Sequence, residues 1–368
     1  MKGDGNGRVW TRRALLSSLA VFGLPAADEK GRVYASEKVP FLDRATEFEV
    51  FRLTAPAYTN VLTAHYNRCV SRRGHFLVFA SDRTGSMQAF RMDLKSGAMR
   101  LLTASAGLIP DSLCLLPDDR SFCYLDGDSL HEVSLSTLRD RQVYRCPAGW
   151  RPTAQSVAGD GRYAAVTETD GKRWRLRLIG LMRNEQATVT ESDVALSEPQ
   201  PRPKRDGILY RRGERELWLV HYDGQDNRRL KLPPGGIGPA LWAADGRSVL
   251  YLHFPEERRA LHAIREHTPD THADQLVSPT SQFVHFGRNA DASVFVGASR
   301  NPAAPHILLL LRVARRELTL CEHRASDPSR TCPIFAPDSQ HVFFQSDKDG
   351  KPAIYCVPVD KLVEKTET

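Results

Sequence analysis

The sequence of 368 residues has no apolar run long enough to span a bilayer as a helix, which takes about twenty residues, so it is not expected to be an integral membrane protein of that kind. Close cysteine pairs are missing too. Cys69, Cys114, Cys123, Cys146, Cys321, Cys332 and Cys356 form no C-x-x-C and no metal-finger spacing, and an odd number cannot pair completely within one chain. Most lie in apolar patterns such as FCYL at Cys123 and IYCV at Cys356, where cysteine acts as a small buried hydrophobe. H-E-x-x-H, G-x-S-x-G and a phosphate loop are all absent, and Gly235-Gly236-Ile237-Gly238 follows two prolines without opening a helical pattern, which argues against a dinucleotide fingerprint. The formal charge is +7 and the pI about 9.1, but the basic residues are scattered pairs such as Arg72-Arg73 and Arg315-Arg316. Without a basic stripe interleaved with aromatics, no nucleic-acid partner is expected, whereas a weakly basic surface suits acidic ligands.

The composition, 41% hydrophobic and 26% charged, is that of an ordinary globular protein. The 25 glycines and 23 prolines are spread along the chain, as many short strands with a turn each would require, and this favours an all-β protein. Near the start, Thr11-Arg12-Arg13-Ala14-Leu15-Leu16 precedes a short apolar run ending at Ala27. Two arginines before such a run match a twin-arginine export signal, with a small-residue cleavage site near Pro25-Ala26-Ala27 or Val33-Tyr34-Ala35. The expected organisation is a signal over residues 1–35 and one domain over 36–368, in a periplasmic or secreted protein.

A turn motif, Asp-Gly-like and followed by about four apolar-leaning residues, recurs along the chain. Marked by Arg73, Asp119, Asp160, Asp206, Asp245, Asp291 and Asp338, it returns at intervals of 46, 41, 46, 39, 46 and 47 residues. This period fits a propeller blade, and seven four-stranded sheets packed radially bury the faces that one sheet leaves open. The predicted fold is a seven-bladed β-propeller. The last unit, from Cys332 to Val359, has only three strands before the sequence ends, while the alternating residues 47–54 have no blade of their own. These are expected to supply the outer strand of blade seven and clasp the ring. The S-D-x-x-G turns after Ser81 and Ser346 would then sit in adjacent blades. A solenoid would leave the incomplete last unit without a partner.

Propellers bind ligands where the connection from each outer strand crosses to the next inner strand. Those crossovers include His65-Tyr66-Asn67-Arg68, Arg151-Pro152-Thr153, Pro239-Ala240-Leu241-Trp242, Gln282-Phe283-Val284-His285 and Arg330-Thr331-Cys332-Pro333. Several carry cations or amides, which suit an anionic, hydroxylated ligand.

The stretch YNRCVSRRGHFLVFASDRTG from Tyr66, Leu217-Trp218-Leu219-Val220 followed by Asp223-Gly224, the Ser281–His285 crossover and CPIFAPDSQHVFFQSDKDGKPAIY from Cys332 resemble the oligogalacturonate lyases, propellers related to TolB-type repeats. The resemblance implies β-elimination from a uronate. A histidine at the start of blade five takes the C5 proton, and manganese, held by histidines of the last two blades and a glutamine, neutralises the carboxylate. Carried over position by position, the base reads Pro239, His285 falls on one metal histidine, the H-P-H-P of the last blade reads Arg330-Thr331-Cys332-Pro333, and the glutamine falls near Asp327. The manganese set is thus incomplete, with His285, Asp327 and Cys332 as the remaining metal candidates. Arg330 is expected to replace the metal's charge by pairing with the carboxylate, assisted by His285, Asn67, Arg68 and Gln282, with Tyr66 as the candidate for the missing base. An acidic oligosaccharide is the expected ligand. The alternative is a non-catalytic, TolB-like scaffold binding a protein or glycan in the periplasm.

Overall fold

A computed structural model describes residues 30–366 apart from 184 and 258. Residues 1–29, with the twin-arginine motif, lie outside the described part.

Strand alternation builds the blades. In the third, Arg151–Val157, Tyr163–Thr169, Trp174–Gly180 and Gln186–Ser192 follow one another from the axis outward as an antiparallel meander. Successive side chains of a strand point to opposite faces. Along Val249–Pro255, therefore, Val249 and Tyr251 enter the core shared with blade four, whereas Leu250 and Leu252 enter the core shared with blade six. The described residues form seven such sheets and seven apolar cores, one between each neighbouring pair, including the pair formed by blades six and seven and the pair formed by seven and one. No blade buries both faces without its neighbours.

Blade seven draws on both ends of the chain. Ile334–Phe335, His341–Ser346 and Ala353–Pro358 form its inner three strands, and Glu49–Arg52 lies against the third, with Phe51 opposite Cys356 and Arg52 opposite Tyr355. Val39–Leu42 adds a fifth strand outside it. Val50 is fully buried in the core between blades six and seven, which explains the apolar half of the alternation there. Val33–Tyr34 likewise adds an outer edge to blade one, with Tyr34 opposite Met99 and its ring 5.7 Å from that of Phe90.

The two S-D-x-x-G turns are neighbours. Lys351 beside one pairs with Asp82 in the other at 3.4 Å, and the Asn60 amide donates to the Pro352 carbonyl at 2.8 Å. All seven cysteines are buried and unpaired. No helix among the described residues is long and apolar enough to cross a membrane.

Candidate functional site

The inner strands are irregular where they reach the crossover face. Blade three has an extra residue between Pro152 and Ala154, blade four between Ser197 and Gln200, blade five between Ile237 and Ala240, and blade six between Phe283 and His285. In blade one the interruption is longer: Val61 pairs with Ala80 and Val70 with Leu77, and the Cys69 carbonyl already accepts from Val78, so residues 62–68 bow away from the sheet towards the axis. A bulge leaves one residue unpaired and re-aims its side chain. Proline is tolerated because the inner strand's free edge faces the channel, where no N–H is required; Pro199 and Pro239 lie in these bulges and Pro152 directly precedes one.

The re-aimed residues enclose a cavity of about 450 Å³, lined among others by His65, Tyr66, Glu198, His285, Arg330 and Cys332. Glu198 has φ 50°, a left-handed conformation that costs about 1 kcal/mol or more for a residue with a side chain. Arg211 holds it there: Nε is 3.1 Å from Oε1 and Nη2 3.1 Å from Oε2. The same guanidinium donates to the carbonyls of Glu214, Ile237 and Gly238, which ties blade four to the bulge of blade five. Both Glu198 and Arg211 are committed to this link.

His65 reaches across the axis, and its Nε2 lies 3.2 Å from the Ala240 carbonyl, next to Pro239. A carbonyl only accepts, so Nε2 carries the proton and Nδ1 keeps the lone pair. The His65 ring stands edge-on to Tyr66 at 5.1 Å and to His285 at 5.2 Å. Burial lowers the pKa of His65, and Arg211 adds to this against the opposing pull of Glu198 and the Ala240 carbonyl. His285 is driven well down, mainly by burial and then by His65, and its buried Nδ1 has no hydrogen-bond partner. Tyr66 is pushed well up by burial, then by Glu198 and Asp111. The pocket therefore offers neutral imidazoles and a protonated phenol. Tyr66 can donate a proton but is a poor acceptor, which removes the reason for expecting it to replace the missing base.

Arg330 ends the 3₁₀ turn Pro328–Arg330. Its carbonyl accepts from Gln345 Nε2 at 2.6 Å while Gln345 Oε1 accepts from the Leu62 amide at 2.8 Å, so the backbone is fastened to blade one. The guanidinium is exposed at the cavity rim and has no ion pair among the described residues.

Of the residues expected from sequence, Tyr66, His285, Arg330 and Cys332 come together in this cavity. Asn67 and Arg68 do not: residues 65–68 run along the channel, and these two line a cavity towards the opposite face, with Asn67 Nδ2 bonded to the Gln155 carbonyl and Arg68 paired with Asp119. Gln282 stands exposed in the turn before blade six, and Pro239 sits in its bulge without a titratable group. The three metal candidates are not assembled either. Asp327 caps the turn by accepting from the Ser329 amide at 3.0 Å, and the buried Cys332 thiol, its pKa raised by burial, points to the Thr63 carbonyl at 3.6 Å. Among the described residues no three His, Cys, Asp or Glu side chains are grouped to hold a metal. A hard cation such as manganese wants oxygen and imidazole donors, and these residues do not fit it. Sequence reasoning missed Glu198 and Arg211 and did not single out His65. Pro199, within its bulge as Pro239 is within the next blade's, was the available signal for Glu198.

Fold and site define a seven-bladed propeller with a histidine- and arginine-bearing pocket at its crossover mouth. The oligogalacturonate lyase family model matches residues 29–174. The oligogalacturonide lyase of Pectobacterium atrosepticum is 24% identical over 374 residues, covering 88% of this chain and 96% of its own, and the oligogalacturonate lyase of Dickeya dadantii is 24% identical over 387 residues, covering 91% and 99%. A solved oligogalacturonate lyase in complex with manganese superposes with a TM-score of 0.84 at 23% identity, covering 89% of this chain and 98% of the other. The chain is thus a seven-bladed propeller similar to the oligogalacturonate lyases.

Proposed function

We propose that this propeller binds acidic oligosaccharides of the oligogalacturonate type at the crossover cavity, with Arg330 holding a uronate carboxylate. The observation that carries the reading is the guanidinium of Arg330, without an ion pair among the described residues, on the rim of a pocket that also holds two neutral histidines. A guanidinium matches a carboxylate bidentately and needs no metal to supply positive charge. For β-elimination the pocket offers His65, whose free Nδ1 can take the proton next to the carboxylate, and Tyr66, which can protonate the departing oxygen. A binding-only reading draws on a different observation: the relatives include a manganese complex, and the residues at the corresponding positions here do not fit that ion.

Calorimetry against digalacturonate tests binding, and ultraviolet absorbance of an unsaturated product tests cleavage. Arg330→Ala is expected to weaken binding by about tenfold or more, since a hydrogen bond to a charged group contributes roughly 1.5–3 kcal/mol. Equal affinity in wild type and variant refutes the assignment. We place the protein in the periplasm or outside the cell, exported by the Arg12-Arg13 motif. The pairing of Val33–Tyr34 with blade one favours cleavage near Pro25-Ala26-Ala27, because cleavage after Ala35 would strip that edge strand. The mass of the mature amino terminus decides between the two.

A further inference from the structure

The opposite face of the ring, where the Asp-Gly turns lie, has its own vestibule. It consists of two cavities of about 350 and 560 Å³ that share Tyr66, Arg68, Ala244 and Pro337 in their walls. Arg68, Arg72 and Arg288 line them, and among the described residues no Asp or Glu does, in contrast to the crossover cavity with its Asp111 and Glu198.

Arg288 differs from its counterparts. Arg68, in the interrupted inner stretch of blade one, Arg202, just after Leu196–Pro201, and Arg288, at the end of Phe283–Arg288, each donate to a backbone carbonyl of a neighbouring blade: Leu116 for Arg68, Gly246 for Arg202 and Trp242 for Arg288. Arg68 is also paired with Asp119, and Arg202 is gripped by Asp270 at 3.1 and 2.9 Å. Arg288 has only carbonyls, those of Trp242 at 2.8 Å and of Asn289 and Ala290 at 3.0 Å, and no ion pair among the described residues. Its Nη2 makes no hydrogen bond to the described residues. Burial pulls it below the ordinary guanidinium value, and the carboxylates of Asp245 and Asp291, which form no ion pair with it, oppose this without offsetting it. Asn67 in the same wall is spent on the fold, with its side chain buried and its Nδ2 bonded to the Gln155 carbonyl. Leu115, Val157, Leu241 and Phe335 supply apolar wall around these polar groups.

We propose that this vestibule is a second binding site, for a small organic carboxylate, with Arg288 taking the carboxylate through Nη2. A carboxylate there pairs with the one guanidinium nitrogen of Arg288 that makes no hydrogen bond to the described residues, a direct contact that Asp245 and Asp291 do not make. The apolar wall covers the rest of the molecule, in the usual division of labour in small-ligand sites. Sugar acids and aromatic hydroxy acids share this chemistry. The site lies at the other end of the channel from the crossover cavity, with His65 and Tyr66 in the walls of both, and it does not rest on the function proposed for that cavity.

The test is calorimetry on the folded protein with galacturonate and, separately, with 4-hydroxybenzoate, comparing wild type, Arg330→Ala, Arg288→Gln and Ala244→Trp. The expected result is a saturable site for at least one of the acids that survives Arg330→Ala and weakens about tenfold or more in the other two variants. The acid that binds identifies the source. Should Arg288→Gln fail to fold, Ala244→Trp decides, because Ala244 is exposed and a large side chain there fills the vestibule without touching the Arg288 hydrogen bonds. The proposal is overturned by saturable binding that persists in Ala244→Trp, by binding that disappears in Arg330→Ala, or by no saturable binding of either acid up to about 10 mM. Loss of digalacturonate binding in Arg330→Ala with the vestibule site intact, or the reverse, separates the two sites.

Discussion

His65 concentrates the chemistry of the crossover cavity. Its hydrogen bond to the Ala240 carbonyl fixes the tautomer and leaves Nδ1 as the acceptor. If elimination occurs, His65→Ala should lower its rate by about a hundredfold or more, as loss of a general base does, with digalacturonate affinity by calorimetry little changed. An unaltered rate excludes it as the base. The same burial has a consequence for stability. Unfolded imidazoles titrate near 6.5, and the fold holds His65 and His285 below that value. The unfolded chain thus takes up protons that the folded one resists, so stability is complete above that pH and falls as pH drops through it. The slope approaches about 1.4 kcal/mol per pH unit for each such histidine. Denaturant midpoints should be lower at acidic than at neutral pH, and a midpoint that rises on acidification contradicts the account.

The strand is the unit that aims these side chains. A regular inner strand would present alternate residues to the two blade interfaces and leave only its edge for the channel. The bulges at Thr153, Glu198–Pro199, Gly238–Pro239 and Val284 turn side chains inward instead. One strand over, packing leaves no slack. A Cβ on Gly297, in the strand Val294–Ser299, would come within 2.0 Å of the Phe283 ring, and Phe283 lies two residues before His285. Gly297→Ala is expected to cost about 3 kcal/mol by overpacking, read as a lower denaturation midpoint, and to weaken ligand binding through displacement of the crossover that carries His285. A variant with native stability would show that the ring has room to move.

At the scale of the whole molecule, closure decides whether a pocket exists, because its walls come from crossovers spread over most of the chain. The strand Glu49–Arg52 is bonded to Ala353–Pro358, and Val50 fills the core between blades six and seven. Val50→Asp buries a carboxylate without a partner there. Expected is a loss of several kcal/mol of stability with a larger radius in solution scattering. A folded ring of unchanged radius would show that the clasp contributes little.

The seven-unit period, the strand alternation and the likeness to oligogalacturonate lyases were all readable from the order of residues, because turn chemistry and apolar alternation are local and repeat with the blade. Arg330, His285 and Tyr66 could be named because each lies at a crossover recognisable from that period. What the tertiary structure alone decided was depth and partnership: that Asn67 and Arg68, one and two residues past Tyr66, face the far vestibule, that Asp327 and Cys332 are spent on a cap and a carbonyl, and that His65 meets Ala240 from the other side of the axis. These follow from bulges that shift register by one residue and from contacts between distant positions, such as Cys332 and Thr63, 269 residues apart. A local pattern carries no information about which distant carbonyl or carboxylate a side chain will meet.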